Sequence, residues 1–117
     1  MQADEFLKAL GRAGELEITT VGRRSGRRIS LPVWFVVEDR RIYLLPVSGS
    51  DTNWYKNVLS NPSMELAVGG RRLSVVARPL SDKASVDRVV GLFKKKYGDS
   101  SIRRYYSKLD VCVEITV

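Results

Sequence analysis

Apolar and polar residues alternate along several short segments, which is the pattern of β-strands with one face in a core. Residues 109–117 show it most clearly, because apolar side chains occupy every second position from Val111 to Val117. Residues 16–21 are rich in β-branched side chains and also read as a strand. The same reasoning predicts further strands at residues 29–38, 41–47, 64–68 and 71–80.

The segment 29–38 is the most apolar of these, and both of its faces carry apolar side chains. A strand that is apolar on both faces is typical of a central strand covered on both sides. Pro32 cannot donate a backbone hydrogen bond, so it predicts a bulge or a locally unpaired edge there.

Apolar residues spaced three and four apart predict helices between the strands. Residues 3–13 carry a narrow apolar stripe, which indicates a lid or flank ended by a cap at Gly14. Residues 53–60 form a second helix, which Asp51 or Thr52 can cap and which Asn61-Pro62 ends.

A third helix follows Ser81 or Asp82 and stops at Gly98, and a short helical turn at 101–108 presents two tyrosines. The dipeptide Gly69-Gly70 between two strand segments predicts a hairpin. Six strands with helices after the third and the fifth indicate a mainly β, α+β fold, a small barrel with flanking helices.

The composition fits one soluble globular domain over residues 1–117, with 44% apolar and 28% charged residues. We divide it into an N-terminal helix or lid (1–14), barrel strands with the motif region (16–80), helices (81–108) and a last strand (109–117). The longest apolar run, 31–37, is far below the roughly 20 residues of a membrane span. The acidic N-terminus lacks the features of a secretory signal, so we expect a cytoplasmic protein.

Cysteine and histidine counts exclude several kinds of chemistry. The single cysteine, Cys112, permits no internal disulfide and reads as an ordinary strand residue. Histidine is absent, which excludes Ser-His-Asp and Cys-His catalysis and any His-ligated metal site. We therefore predict no metal site.

The net charge of +7 points to an anionic partner: nucleic acid, an acidic membrane surface or a phosphorylated small molecule. Four arginines lie in the turn between residues 22 and 28, bounded by Gly22. They could be a solvated hairpin tip, or they could bind an anion, because guanidinium groups bind phosphate and carboxylate bidentately. Three consecutive lysines, 94–96, read as a solvated helix face.

Three motifs, taken in order, resemble those of one family. They are Thr19-Thr20-Val21-Gly22-Arg23-Arg24-Ser25-Gly26, Leu31-Pro32-Val33-Trp34-Phe35, and Asn53-Trp54-Tyr55-Lys56-Asn57 followed by Asn61-Pro62. Together they resemble the deazaflavin (F420)-dependent nitroreductase and quinone-reductase family. That family belongs to the flavin-binding split β-barrels, whose other branch includes pyridoxamine phosphate oxidase. The resemblance covers roughly residues 16–80.

The resemblance implies a six-stranded split β-barrel that binds reduced deazaflavin coenzyme and passes its hydride to a small electron-poor acceptor of the quinone, nitroaromatic or enone type. A loop of Arg23, Arg24 and Ser25 would receive the coenzyme's phosphate and acidic tail, and Arg28 could reach the same anion. The resemblance also implies that the backbone of the strand end at Pro46, Val47 and Ser48 faces the ring. Its last implied contacts are Trp54 and Tyr55, at the start of the next helix.

Tyr105 and Tyr106 lie where relatives place acceptor-contacting tyrosines, so they are candidate substrate-pocket residues. The aromatic residues Trp34, Tyr43, Trp54 and Tyr55 could equally pack in the core. The chain departs from the family after Ser48, where some relatives carry a basic residue and this chain has Gly49. It also has Ile29 where some relatives have an arginine.

Other functions remain open at this point. The chain could be an FMN-binding split-barrel flavoprotein, a carrier or sensor that binds cofactor without turnover, or a basic β-barrel that binds nucleic acid. Against nucleic acid, the aromatic residues lie in apolar segments and form no evident stacking surface. Split barrels often dimerise, so a homodimer is compatible with the resemblance.

Overall fold

A computed structural model describes residues 2–117, which form four helices and two four-stranded antiparallel sheets. The helices are α1 (Gln2–Leu10), α2 (Asn53–Ser60), α3 (Lys83–Tyr97) and α4 (Asp99–Tyr105). The first four strands are β1 (Leu16–Val21), β2 (Arg28–Val33), β3 (Val36–Glu38) and β4 (Arg41–Leu44). The others are β5 (Ser63–Val68), β6 (Arg71–Val76), β7 (Arg78–Leu80) and β8 (Cys112–Thr116).

Two of the six predicted strands are each divided between the two sheets, which is why the structure has eight. The first sheet has the order β2-β1-β5-β6 and the second has the order β3-β4-β8-β7. The segment 29–38 breaks at Trp34-Phe35, and the segment 71–80 breaks at Ala77. At each break the chain passes from the first sheet to the second.

The prediction of a central strand at 29–38 is wrong. Strand β2 lies at the edge of its sheet and pairs with β1 alone, with Pro32 opposite Glu17. Ile29 is 43% exposed. The edge position tolerates the missing N–H of Pro32 without a bulge in the register.

The second sheet lies between the first sheet and the helices α3 and α4. Along β4, Ile42 and Leu44 pack into the core shared with the first sheet. Tyr43 and Leu45 point the other way and pack with residues of α3 and α4 such as Phe93. This alternation explains why the 41–47 segment is apolar on both faces.

Helix boundaries follow the sequence signals in part. Helix α3 is capped as predicted, since the Asp82 side chain accepts a hydrogen bond from the Ser85 N–H at 3.0 Å. Helix α1 ends at Leu10, before the predicted Gly14 cap. Helix α2 has the predicted bounds but no side-chain cap, because Thr52 Oγ1 instead accepts from the Ser48 N–H at 2.8 Å.

The β5–β6 hairpin is confirmed. Val68 pairs with Arg71 across a two-residue loop, in which both Gly69 and Gly70 have positive φ. That backbone suits the mirror-image turns that match strand twist. None of the helices in the described part of the chain is long and apolar enough to cross a membrane.

Cys112 is fully buried in β8, and burial raises the pKa of its thiol from 9.0 to about 11. We expect no reaction with Ellman's reagent at pH 8 until the protein unfolds, because the thiol is both neutral and inaccessible. Rapid labelling of native protein would contradict this expectation. The folded thiol holds its proton at pH values where the unfolded thiol loses it, so unfolding releases a proton between about pH 9 and 11.

The free energy of unfolding should therefore fall as the pH rises through that window, by up to about 2–3 kcal/mol. Urea unfolding at pH 8 and pH 10 measures this fall. The Cys112→Ala variant should lose less stability over the same pH step than the wild type, since it lacks the thiol proton.

Candidate functional site

An apolar cavity of about 340 Å³ lies among β2, the end of the β4 segment, the start of α2 and the end of α4. Its walls carry four aromatic side chains, Trp34, Trp54, Tyr105 and Tyr106. A small-molecule site of this kind is typically a largely apolar cleft of about 300–1,000 Å³. The cavity therefore has the size and the lining of a site for a flat organic ring.

One wall of the cavity is held by aromatic packing. The Trp34 ring stacks on Tyr97 with centroids 4.3 Å apart and planes within 5°. Tyr105 meets the same indole edge-on at 5.6 Å. Tyr97 is fixed in turn, since its hydroxyl donates to the Gly14 carbonyl oxygen at 2.9 Å and accepts from the Phe35 N–H at 3.1 Å.

Tyr106 is 8% exposed, and burial raises the pKa of its hydroxyl well above 10.0. It therefore stays a neutral phenol at all ordinary pH values. Tyr105 is 53% exposed and lies at the mouth. The two tyrosines thus present one buried and one open aromatic surface to the cavity.

The basic turn that follows β1 is an ordered structure. The Gly22 N–H donates to the Arg27 carbonyl oxygen at 2.8 Å, and the Gly26 N–H donates to the Gly22 carbonyl oxygen at 2.9 Å. The Ser25 hydroxyl accepts from the Arg27 N–H at 3.2 Å. Arg24 and Ser25 are exposed on this turn.

Arg23 ties the turn to helix α2. Its backbone N–H and its guanidinium both donate to Asn57 Oδ1, at 3.1 Å and 2.9 Å. The guanidinium also donates to the Asn53 carbonyl oxygen at 3.3 Å. Asn57 is 3% exposed and donates from its amide nitrogen to Thr20 Oγ1 at 3.4 Å. Arg23 is therefore engaged in internal hydrogen bonds, while the neighbouring Arg24 is open to solvent.

The strand end at Pro46, Val47 and Ser48 uses much of its backbone internally. The Val47 carbonyl oxygen accepts from the Ser107 N–H at 2.9 Å, and the Pro46 carbonyl oxygen accepts from the Gly49 N–H at 3.0 Å. The Val47 side chain lines the cavity and is 49% exposed.

The structure therefore brings some of the sequence-predicted residues together and separates others. Val47, Trp54, Tyr105 and Tyr106 line one cavity. Tyr55 packs in the main core, and Tyr43 packs against α3. Arg28 lies 3.3 Å from Glu65 and lines a separate groove on the first sheet.

That groove is larger, about 900 Å³, but it is lined mostly by polar, charged and aliphatic residues such as Thr19, Ser74 and Val76. It has no aromatic wall. We therefore place the candidate site in the smaller cavity. Within residues 2–117, no three side chains of the metal-ligating types come together.

The sequence patterns did not predict two sets of contacts near the site, those of Asn53 and Asn57 with Arg23 and those of Asp110 with Ser50. Asn53 and Asn57 are four residues apart and therefore share a helix face, which could have indicated their common partner. Asp110 gave no signal, although it fixes the loop after Ser48: its carboxylate accepts from the Ser50 N–H at 2.9 Å and from the Ser50 hydroxyl at 2.5 Å.

Comparison with solved structures identifies the fold as that of the pyridoxamine phosphate oxidase-like split barrels. An F420-H2-dependent reductase matches with a TM-score of 0.68 and 22% identity, over 87% of this chain and 93% of that one. The heme storage protein HutZ from Vibrio cholerae matches with a TM-score of 0.72 and 15% identity, over 98% and 89%. A FAD-binding protein from Mesorhizobium loti matches with a TM-score of 0.69 and 16% identity, over 100% and 88%.

The chain belongs to a family described as "Uncharacterized protein conserved in bacteria (DUF2255)", whose model matches residues 6–111. No curated protein matches the sequence. The fold neighbours include proteins named for different cofactors, so the likeness establishes the fold and leaves the activity to the site itself.

Proposed function

We propose that this protein is an oxidoreductase that binds the reduced deazaflavin coenzyme and passes a hydride to a small electron-poor acceptor such as a quinone. The observation that carries the proposal is the junction of the basic turn with the aromatic cavity. Arg23 bonds to Asn53, the first residue of α2, and the next residue, Trp54, lines the cavity. A basic turn and an aromatic cavity thus adjoin one helix.

The residues present suit a ligand with a flat ring and an anionic tail. Trp34, Trp54 and Tyr106 offer apolar surfaces to a ring, and the largely apolar lining keeps water from its faces. Arg24 and Ser25 are exposed on the turn and can meet phosphate or carboxylate oxygens. Arg23 would hold the turn in place, and Arg28, paired with Glu65, would contribute little.

Reduced deazaflavin itself supplies the hydride, so the protein needs no nucleophile. The chain's own groups orient the two reactants and exclude water. Burial raises the pKa of the Tyr106 hydroxyl, so it keeps its proton and can donate a hydrogen bond to an acceptor in the cavity. This role does not require a histidine, and the chain has none.

Replacing Arg24 tests the proposal. Arg24→Ala should weaken binding of the coenzyme at least tenfold, because a charge-assisted hydrogen bond contributes about 1.5–3 kcal/mol. The measurement is a fluorescence titration of the oxidised coenzyme with each protein. Arg41→Ala is the matched control, since it removes one exposed positive charge at the opposite end of β4.

An equal loss of coenzyme affinity in both variants would show that the effect comes from net charge alone. An unchanged dissociation constant in Arg24→Ala would show that Arg24 is only a solvated residue at the hairpin tip. Steady-state oxidation of the reduced coenzyme with a quinone or nitroaromatic then separates an enzyme from a carrier. Tight FMN binding without deazaflavin binding would replace the proposal by an FMN flavoprotein.

A further inference from the structure

Another cavity, of about 410 Å³, lies between α1, β3 and α3. Its walls are apolar and include Leu7, Leu10, Phe35, Val36 and Leu92. The only charged groups among its described lining residues are Lys95 and Lys96, and no carboxylate lines it. The cavity is thus an apolar groove with a positively charged rim.

Lys96 is exposed, as the sequence predicts, but its ammonium also has fixed partners. Its ammonium donates to the Phe35 carbonyl oxygen at 2.8 Å and lies 3.6 Å from the centroid of the Phe35 ring. The centroid of the Tyr97 ring is 5.0 Å from the same ammonium. These contacts hold the ammonium at one place on the cavity rim.

An ammonium has three N–H donors, and the Phe35 carbonyl uses one of them. The other contacts are with the faces of aromatic rings, which accept a cation but do not replace a carboxylate. Burial lowers the pKa of Lys96. An anion at this point would offset that cost, because it would stabilise the charged form.

We propose that this cavity binds an amphipathic carboxylate, with the alkyl chain along Leu7, Val37 and Leu92 and the carboxylate on the Lys96 ammonium. The charge of the rim selects an anion, and the apolar walls select an aliphatic tail. The site is separate from the aromatic cavity and does not depend on the activity proposed for it.

Calorimetric titration with decanoate below its micelle concentration tests this proposal. Decanoate should bind, decanol should bind at least tenfold more weakly, and octanoate should bind on the order of tenfold more weakly than decanoate because it buries two fewer methylene groups. Amide NMR shifts should map to Val36, Val37 and Leu92 and leave Trp54 unchanged.

Lys96→Met keeps the length of the side chain and removes the charge, so it should weaken decanoate binding at least tenfold. Lys94→Met is the matched control, because Lys94 is on the same helix but pairs with Asp99 at 3.3 Å and does not line the cavity. It should bind decanoate as the wild type does.

A second variant covers the case in which Lys96→Met disturbs the fold. Val37 is 37% exposed and lines the cavity, so Val37→Trp should block the groove while it leaves the lysine in place. Equal affinity for decanoate and decanol, unchanged binding by Lys96→Met, or shifts confined to the aromatic cavity would each overturn the proposal.

Discussion

Gly49→Ala should lower the free energy of unfolding by about 3 kcal/mol or more, the largest loss we expect from any single methyl group in this chain. Gly49 has φ of +55°, a conformation that costs a residue with a Cβ about 1–2 kcal/mol. An added Cβ would also lie 2.9 Å from the Lys108 carbonyl oxygen and overlap Asp110 Oδ1. The backbone oxygen cannot easily move away, because the neighbouring Ser107 is bonded to Val47.

The steric conflict also breaks a hydrogen-bonded contact. Asp110 holds the loop through the Ser50 N–H and hydroxyl, and any movement of its carboxylate loses those bonds. Urea unfolding followed by circular dichroism measures the effect. Gly91→Ala is the matched control: Gly91 lies within α3 with open space around it, so alanine should raise stability by about 0.5–1 kcal/mol. Similar changes in both variants would show that the loop tolerates a side chain.

The same geometry explains the departure from the resembled family. Where some relatives carry a basic residue after the serine, this chain has a buried glycine whose Cβ position is occupied by Asp110 and Lys108. A basic side chain cannot be accommodated there.

Local signals were enough to predict much of the fold. The strand at residues 16–21, the Gly69-Gly70 hairpin and the Asp82 cap each depend on neighbours in sequence. The edge position of β2 could not be predicted in this way. A central strand covered on both faces and an edge strand can have the same apolar pattern. In β2, Leu31 and Val33 pack on the core, while Pro32 on the other face lines a cavity.

The candidate site shows the same limit. The motifs pointed to the basic turn and to Trp54, but they could not tell which arginines bond within the protein and which are open to solvent. Arg23 serves the structure because Asn57, 34 residues later, lies beside it. Lys96 was likewise read as a solvated residue, because its partner Phe35 is 61 residues away. Such roles depend on tertiary contacts that no local pattern records.

Asn57→Ala should release the basic turn and lower the free energy of unfolding by about 2–3 kcal/mol. Asn57 is 3% exposed, and its Oδ1 accepts from both the backbone and the guanidinium of Arg23. Alanine leaves the part-buried Arg23 N–H and the buried Thr20 hydroxyl without their partner, and an unpaired buried group costs about 1–3 kcal/mol. The guanidinium of the exposed Arg23 can bind water instead. The cavity left by the amide adds to the loss.

Asn53→Ala is the matched control, because Asn53 lies on the same face of α2 but is exposed and its side chain makes one long contact, 3.5 Å from Arg23. It should cost less than about 0.5 kcal/mol. Hydrogen exchange should speed up at residues 22–27 in Asn57→Ala and stay unchanged in Asn53→Ala. If the turn holds the coenzyme's anionic groups, Asn57→Ala should also weaken coenzyme binding, since Arg24 would lose its fixed position. Unchanged exchange in the turn would show that Arg23 does not hold it on α2.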